Sequence, residues 1–255
     1  TVVLSGTVSA SVVDKTLTIT TNSPANNAGD VTLSTFGNGG GANQYVATVT
    51  VNAVASDNAA PKLDGKLTLT GDVLLDGTAA AADFLLVNDN ADVKITNSLT
   101  VNTNANVATT TAGSIYLGSG TSTSASTISA TVAGKTLTLQ TTGTVNGNIA
   151  FGSVTNASGG QYVAALTVNA GTGTVTLNGG SILTNGTTAA GNVAITGNVV
   201  LTVSVTIDTN QTDAVDSGTV VLSGTVSASV VDKTLTIPTN SPANNAGDVT
   251  LSTFG

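Results

Sequence analysis

TVVLSGTVSASVVDKTLTITTNSPANNAGDVTLSTFG, residues 1 to 37, returns as residues 219 to 255 with one change, Thr20 to Pro238. Self-similarity over such a length bears on architecture before any local motif does. Within the stretch, apolar and polar residues alternate. In KTLTIT (15 to 20), Leu17 and Ile19 fall on one side of an extended chain and Thr16, Thr18 and Thr20 on the other, which places the two aliphatic residues inward. Proline cannot donate to a sheet ladder, so the position held by Thr20 and Pro238 is expected to be where a strand stops.

A finer repeat runs through the rest of the chain. KTLTIT (15 to 20) returns as KTLTLQ (135 to 140), QYVATVTVNA (44 to 53) as QYVAALTVNA (161 to 170), and LTVNTN (99 to 104) as VTIDTN (205 to 210), at spacings of 120, 117 and 106 residues. Strand cores are kept while spacing varies, so insertions lie between strands, where surface connections tolerate them at small entropic cost. The expected organisation is one long unit over 1–218 with two related halves, about 1–120 and 121–218, and the start of a near-identical unit at 219–255. The chain is expected to be a window on a longer tandem array.

Composition narrows the chemistry. The ionisable side chains are 14 Asp, 6 Lys and 3 Tyr, with net charge −8 and no Glu, Arg, His or Cys. Without His there is no ordinary general base at neutral pH, and without Cys no thiolate nucleophile or structural zinc site. The acidic balance and absent Arg argue against nucleic acid and anionic membranes. Strong helix formers are scarce, while Thr, Val, Asn, Gly and Ser dominate, which predicts an all-β chain. Aromatic residues make up 3%, so the core is expected to be narrow and filled by small branched side chains. The longest apolar run, AAAADFLLV (79 to 87), is interrupted by Asp83 and falls short of the roughly 18 residues of a spanning helix.

Strand signals such as KLTLTGDVLL (66 to 75), KTLTL (135 to 139) and TVTLNG (174 to 179) resemble one another and are bounded by Gly, Asn or Asp. Two architectures fit: a β-solenoid, in which each coil presents the same environment, or tandem β-sandwich domains of immunoglobulin-like size. The likeness among strands favours the solenoid. AALTVNAGTGTVTLNGGSI (164 to 182), GKTLTLQTTGTVNGNIAFGSV (134 to 154) and GTVVLSGTVSASVVDKTLTI (218 to 237) resemble coils of filamentous-haemagglutinin-type bacterial adhesins. The resemblance implies a right-handed parallel β-helix, exported and displayed on a bacterial surface within a giant repetitive protein. At about 20–24 residues per coil, a 218-residue unit would hold about ten coils and rise about 48 Å.

Candidate sites have ordinary alternatives. NDNAD (88 to 92) and DTNQTDAVD (208 to 216) offer oxygen ligands for calcium, but Asp and Asn are also turn formers, and neither segment has the spacing of a known calcium loop. Asp72, Asp76, Asp83 or other loop aspartates could supply paired carboxylates for glycoside hydrolysis, yet most of them flank Gly or Asn and read as turn residues. Thr-x-Thr runs could order water on an ice-binding face. Tyr45, Tyr116 and Tyr162 could stack on sugars, though a ring covering the core edge is simpler. Asn156, Asn185 and Asn210 head glycosylation sequons expected by chance in such a chain. The reading is a non-enzymatic structural segment of an extracellular fibre or adhesin, with no catalytic, cofactor or metal residues and no cofactor. Its expected partners are neighbouring repeat units, lateral or end-to-end copies, and a cell-surface or carbohydrate ligand. The alternative is an ice- or carbohydrate-binding solenoid face.

Overall fold

A strand that is apolar on one side and polar on the other can bury its apolar side by stacking on copies of itself. The computed structural model describes residues 1–21, 28–37, 44–53, 65–77, 81–87, 92–106, 111–118, 126–156, 161–186, 191–211, 216–239 and 245–255. Its 21 strands form one sheet, and every pairing between strands is parallel. Tandem sandwiches need antiparallel sheets, so the fold is a parallel β-solenoid.

The registers sort into three columns. Column I stacks Val2, Val31, Leu67, Val93, Ile128, Val154, Ile182 and Ile207. Column II stacks Val8, Phe36, Val73, Val101, Leu139, Val168, Ile195, Leu222 and Leu251. Column III stacks Leu17, Val49, Phe84, Ile115, Ile149, Val175, Val199, Val226 and Phe254. The chain visits I, II and III, then returns to I one coil further on. These columns are the inward rows, and from the second coil to the eighth their members are buried. Each such aliphatic side chain contributes about 1.5–3 kcal/mol of burial.

The alternation read from sequence is borne out at the positions it named. Ile19, Leu137 and Leu139 are buried and Leu17, in the first coil, is half-buried, while Thr16, Thr18 and Thr20 are exposed. The strand Leu235–Thr236 ends two residues before Pro238, as a residue without an N–H requires.

Coils are longer than expected. From Leu177 to its partner Leu201 is 24 residues, and from Val101 to Leu139 is 38, so the range of 20–24 marks only the short end. A full three-sided coil fits in 24 residues, so the extra length of the others lies in the connections between strands.

Counting sides instead of residues brings order to the repeats. Leu17 lies in coil 1, column III, and its counterpart Leu137 in coil 5, column II. Val49 lies in coil 2, column III, and Leu166 in coil 6, column II. Val101 lies in coil 4, column II, and Ile207 in coil 8, column I. All three steps are 11 sides, or 3⅔ coils, although their residue spacings differ. The 37-residue repeat spans twice that. Leu4 pairs with Leu33 in column I of coil 1, whereas Leu222 pairs with Leu251 in column II of coil 8. The 218-residue unit is therefore 7⅓ coils, a rise of about 35 Å at about 4.8 Å per coil, not ten coils and about 48 Å. Both copies make the same pairing, Val2 with Val31 and Val220 with Val249, on different sides of the rod.

Candidate functional surface

Where a strand leaves a side, a threonine recurs, half-buried at Thr21 and buried at the four that follow. The Oγ1 hydroxyls of Thr21, Thr103, Thr141, Thr184 and Thr209 donate to the carbonyls of Gly29, Gly113, Gly147, Gly191 and Gly218 at 2.6, 2.8, 3.0, 2.7 and 2.9 Å. The partners are 6 to 10 residues apart in sequence, so one clamp closes the neck of connections of different length. This gives the physical means by which insertions spare the strands. Replacing Thr184 by valine keeps the shape, removes the donor and should cost about 1 kcal/mol, read as a Tm lower by about 2–4 °C.

The aspartates and asparagines cap corners. A backbone N–H at or near the start of a side donates to a side-chain oxygen one coil below: Lys66 to Asp30 (2.9 Å), Thr100 to Asp72 (2.8 Å), Ser114 to Asp83 (2.7 Å), Thr174 to Asn148 (2.9 Å) and Thr219 to Asn192 (2.9 Å). Asp72 and Asp83 thus serve two different corners, and Asp76 is buried, its N–H donating to the carbonyl of Val46. Asp76 and Asp83 bracket the connection from column II to column III, and the Asp83 carboxylate is engaged by the Ser114 N–H. Removing the carboxylate in Asp83→Ala should cost about 1–2 kcal/mol, since an N–H bond to a charged acceptor is lost; denaturant titration reads it.

Of the two calcium candidates, residues 88–91 and 212–215 lie outside the described residues. Asp92 opens the strand Asp92–Ile95. Asp208 Oδ1 accepts from the Asn210 N–H at 3.0 Å, and Asp216 accepts from Asn245. These are turn and cap roles. Among the described residues no three acidic side chains group to hold a metal ion. Asn156 is exposed, whereas Asn185 and Asn210 bridge one another and Asn210 is buried.

The outward rows are mixed. Thr100, Thr138 and Thr167 stack in column II, but the row continues as Ala194 and Val221. In column III, Thr18 and Thr50 are followed by Leu85 and Tyr116, and in column I Thr32 and Thr68 by Lys94. An ordered water lattice needs an unbroken rank, and these rows break after two or three coils. Tyr45, Tyr116 and Tyr162 are all half-buried. Tyr116 flanks a shallow groove of about 370 Å³ on column III that also meets Thr174, Thr176, Val200 and Thr202.

The architecture defines a class: a three-sided parallel β-solenoid with capped corners and clamped connections. No family model, curated protein or solved structure matches the chain.

Proposed function

We propose that this chain is a structural segment of an extracellular repetitive fibre or adhesin, a stiff rod of bacterial origin that extends from a cell surface. The observation that carries the reading is the side-shifted repeat. A sequence that recurs on different sides cannot keep converging on one catalytic or binding point, but it builds a continuous ladder of any length. The aspartates are spent on corners and the threonines on connection necks, which fits a scaffold. Neighbouring units of the same array are its first partners, and a cell-surface or carbohydrate ligand would be held by many weak contacts in parallel.

Immunogold labelling of intact source cells with antibody against this segment tests the reading. Gold on filaments outside the envelope is expected. Label confined to the cell interior would overturn it.

A further inference from the structure

Tyr116 stands where the repeat has valine. The strand Ile115–Leu117 in column III is the counterpart, 11 sides on, of residues 2–4 in column I, and residues 220–222 in column II follow after 11 sides more. Val3 and Val221 therefore hold the same outward place as Tyr116. The ladder accepts valine there, so the fold itself does not call for a half-buried aromatic ring.

The ring heads a groove. The outward row of column III runs Tyr116, Ala150, Thr176, Val200 and Ser227 from the fourth coil to the eighth, and Ala150 is 0% exposed, a small residue set low between two larger ones. The groove of about 370 Å³ runs from the tyrosine across Thr176 and Val200 to Ser229, about 19 Å along the axis at about 4.8 Å per coil. Its volume lies within the range of ligand clefts, about 300–1,000 Å³. The polar groups along it are open. Asn148 Oδ1 accepts from the Thr174 N–H at 2.9 Å, which leaves Nδ2 to donate, and the hydroxyls of Tyr116, Thr174, Thr176 and Ser229 have no partner among the described residues.

We propose that this groove is a binding site for a neutral, linear oligosaccharide lying along the rod axis. The tyrosine supplies a flat apolar face with a polar tip, on which a sugar ring stacks, and the hydroxyls and amide both donate and accept, as sugar hydroxyls do. Chemistry selects the occupant. No charged side chain lines the groove in a chain of net charge −8, so an ionic ligand finds no ion pair. A peptide strand would need an unpaired sheet edge, and the strands beneath the groove are paired on both sides. The site rests on the carbohydrate contact of the proposed function and gives it a place. The repeat does not copy it at Val3 or Val221, so the unit carries it once, and several grooves engaged in parallel would act as linked sites.

Calorimetric titration of the full chain with cellopentaose, maltopentaose and chitopentaose tests it. At least one of the three is expected to bind with a Kd of about 1 mM or tighter. Tyr116→Ala is expected to bind it at least roughly tenfold more weakly, a loss of about 1.4 kcal/mol, and Tyr116→Phe to keep most of the affinity because the ring remains. Thr174→Val keeps its shape, loses a hydroxyl and should bind about threefold more weakly. A wild type that takes up none of the three at about 10 mM, where a site of about 1 mM would be about nine-tenths filled, overturns the groove, as does a Tyr116→Ala variant that binds as tightly as the wild type. Amide protection of the strand ladder shows whether each variant is folded; if Tyr116→Ala is not, the decision passes to Thr174→Val, and undiminished binding by it overturns the groove. Gold label on external filaments without sugar binding sinks the groove alone, whereas label confined to the cell interior sinks the fibre reading whatever the titration gives.

Discussion

Leu137→Asp is expected to lower stability by about 4 kcal/mol or more, because it both empties a packed site and buries a charge. Leu137 is 1% exposed and stacks in register between Leu99 below and Leu166 above, so an added carboxylate has apolar neighbours on both sides along the axis. The cost has two parts: the lost burial of the leucine and the desolvation of a charge. pH separates them. Burial raises the folded-state pKa of the introduced carboxyl above its unfolded value near 3.9. The charge penalty is therefore absent below that value and grows as pH rises toward the folded pKa. The variant should recover part of its stability near pH 4, whereas Leu137→Asn should not. Because a solenoid is held by nearest-neighbour contacts, hydrogen exchange should show the loss centred on coils 4 to 6. An unchanged melting temperature would contradict the inward column.

Gly147→Ala is expected to cost about 3 kcal/mol through a backbone collision. A Cβ on Gly147 would lie 1.9 Å from the carbonyl oxygen of Gly113, one coil below. The same column continues in both directions: a Cβ on Gly113 would lie 1.9 Å from the Ala82 oxygen, and one on Gly173 would lie 2.1 Å from the Gly147 oxygen. These glycines hold the corner into column III in the fourth, fifth and sixth coils, where an added Cβ would meet the carbonyl one coil below; Ala82 holds the same post in the third. The obstacle is space, since Gly147 has no positive φ. Gly180→Ala is the control, its nearest atom being 3.6 Å away, and should cost under about 1 kcal/mol. Thermal unfolding of the two variants decides the point, and equal melting temperatures would contradict the close-packed corner.

What is legible in the sequence is the period of two. Alternation in KTLTIT and its relatives assigns the inward residues because a strand has one geometry, and the poverty in aromatics matches a narrow interior. The three largest buried side chains, Phe36, Phe84 and Phe151, leave no such signal, because four phenylalanines in 255 residues carry no pattern. The coil length is hidden for a physical reason: residues between strands add to the count without adding sides, so spacings of 120, 117 and 106 mask a constant step of 11. The neck clamps do leave a trace. Four of the five clamps begin at Thr-Asn, at 21–22, 103–104, 184–185 and 209–210, each followed within ten residues by the glycine it holds, but Thr-Asn also occurs at 96–97, 155–156 and 239–240 and Thr141 is followed by Thr142, so the pair marks a clamp only in part. Asp72 and Asp83 stand out in the sequence as carboxylates, but their hydrogen bonds reach backbone groups 28 and 31 residues away, a separation that only the register reveals.

The side shift of the repeat is the claim from which the rest follows, and the cysteine-free chain allows a direct measurement of it. Thr236 pairs with Thr206 in column I, while its sequence counterpart Thr18 belongs to column III. Parallel neighbours one coil apart meet the Cα separation of a disulfide. Cysteines at 206 and 236 should therefore link readily on mild oxidation, and cysteines at 200 and 236 should not, Val200 being in column III. Linkage of 200 to 236 in place of 206 to 236 would put both copies on one side of the rod and contradict the 7⅓-coil repeat.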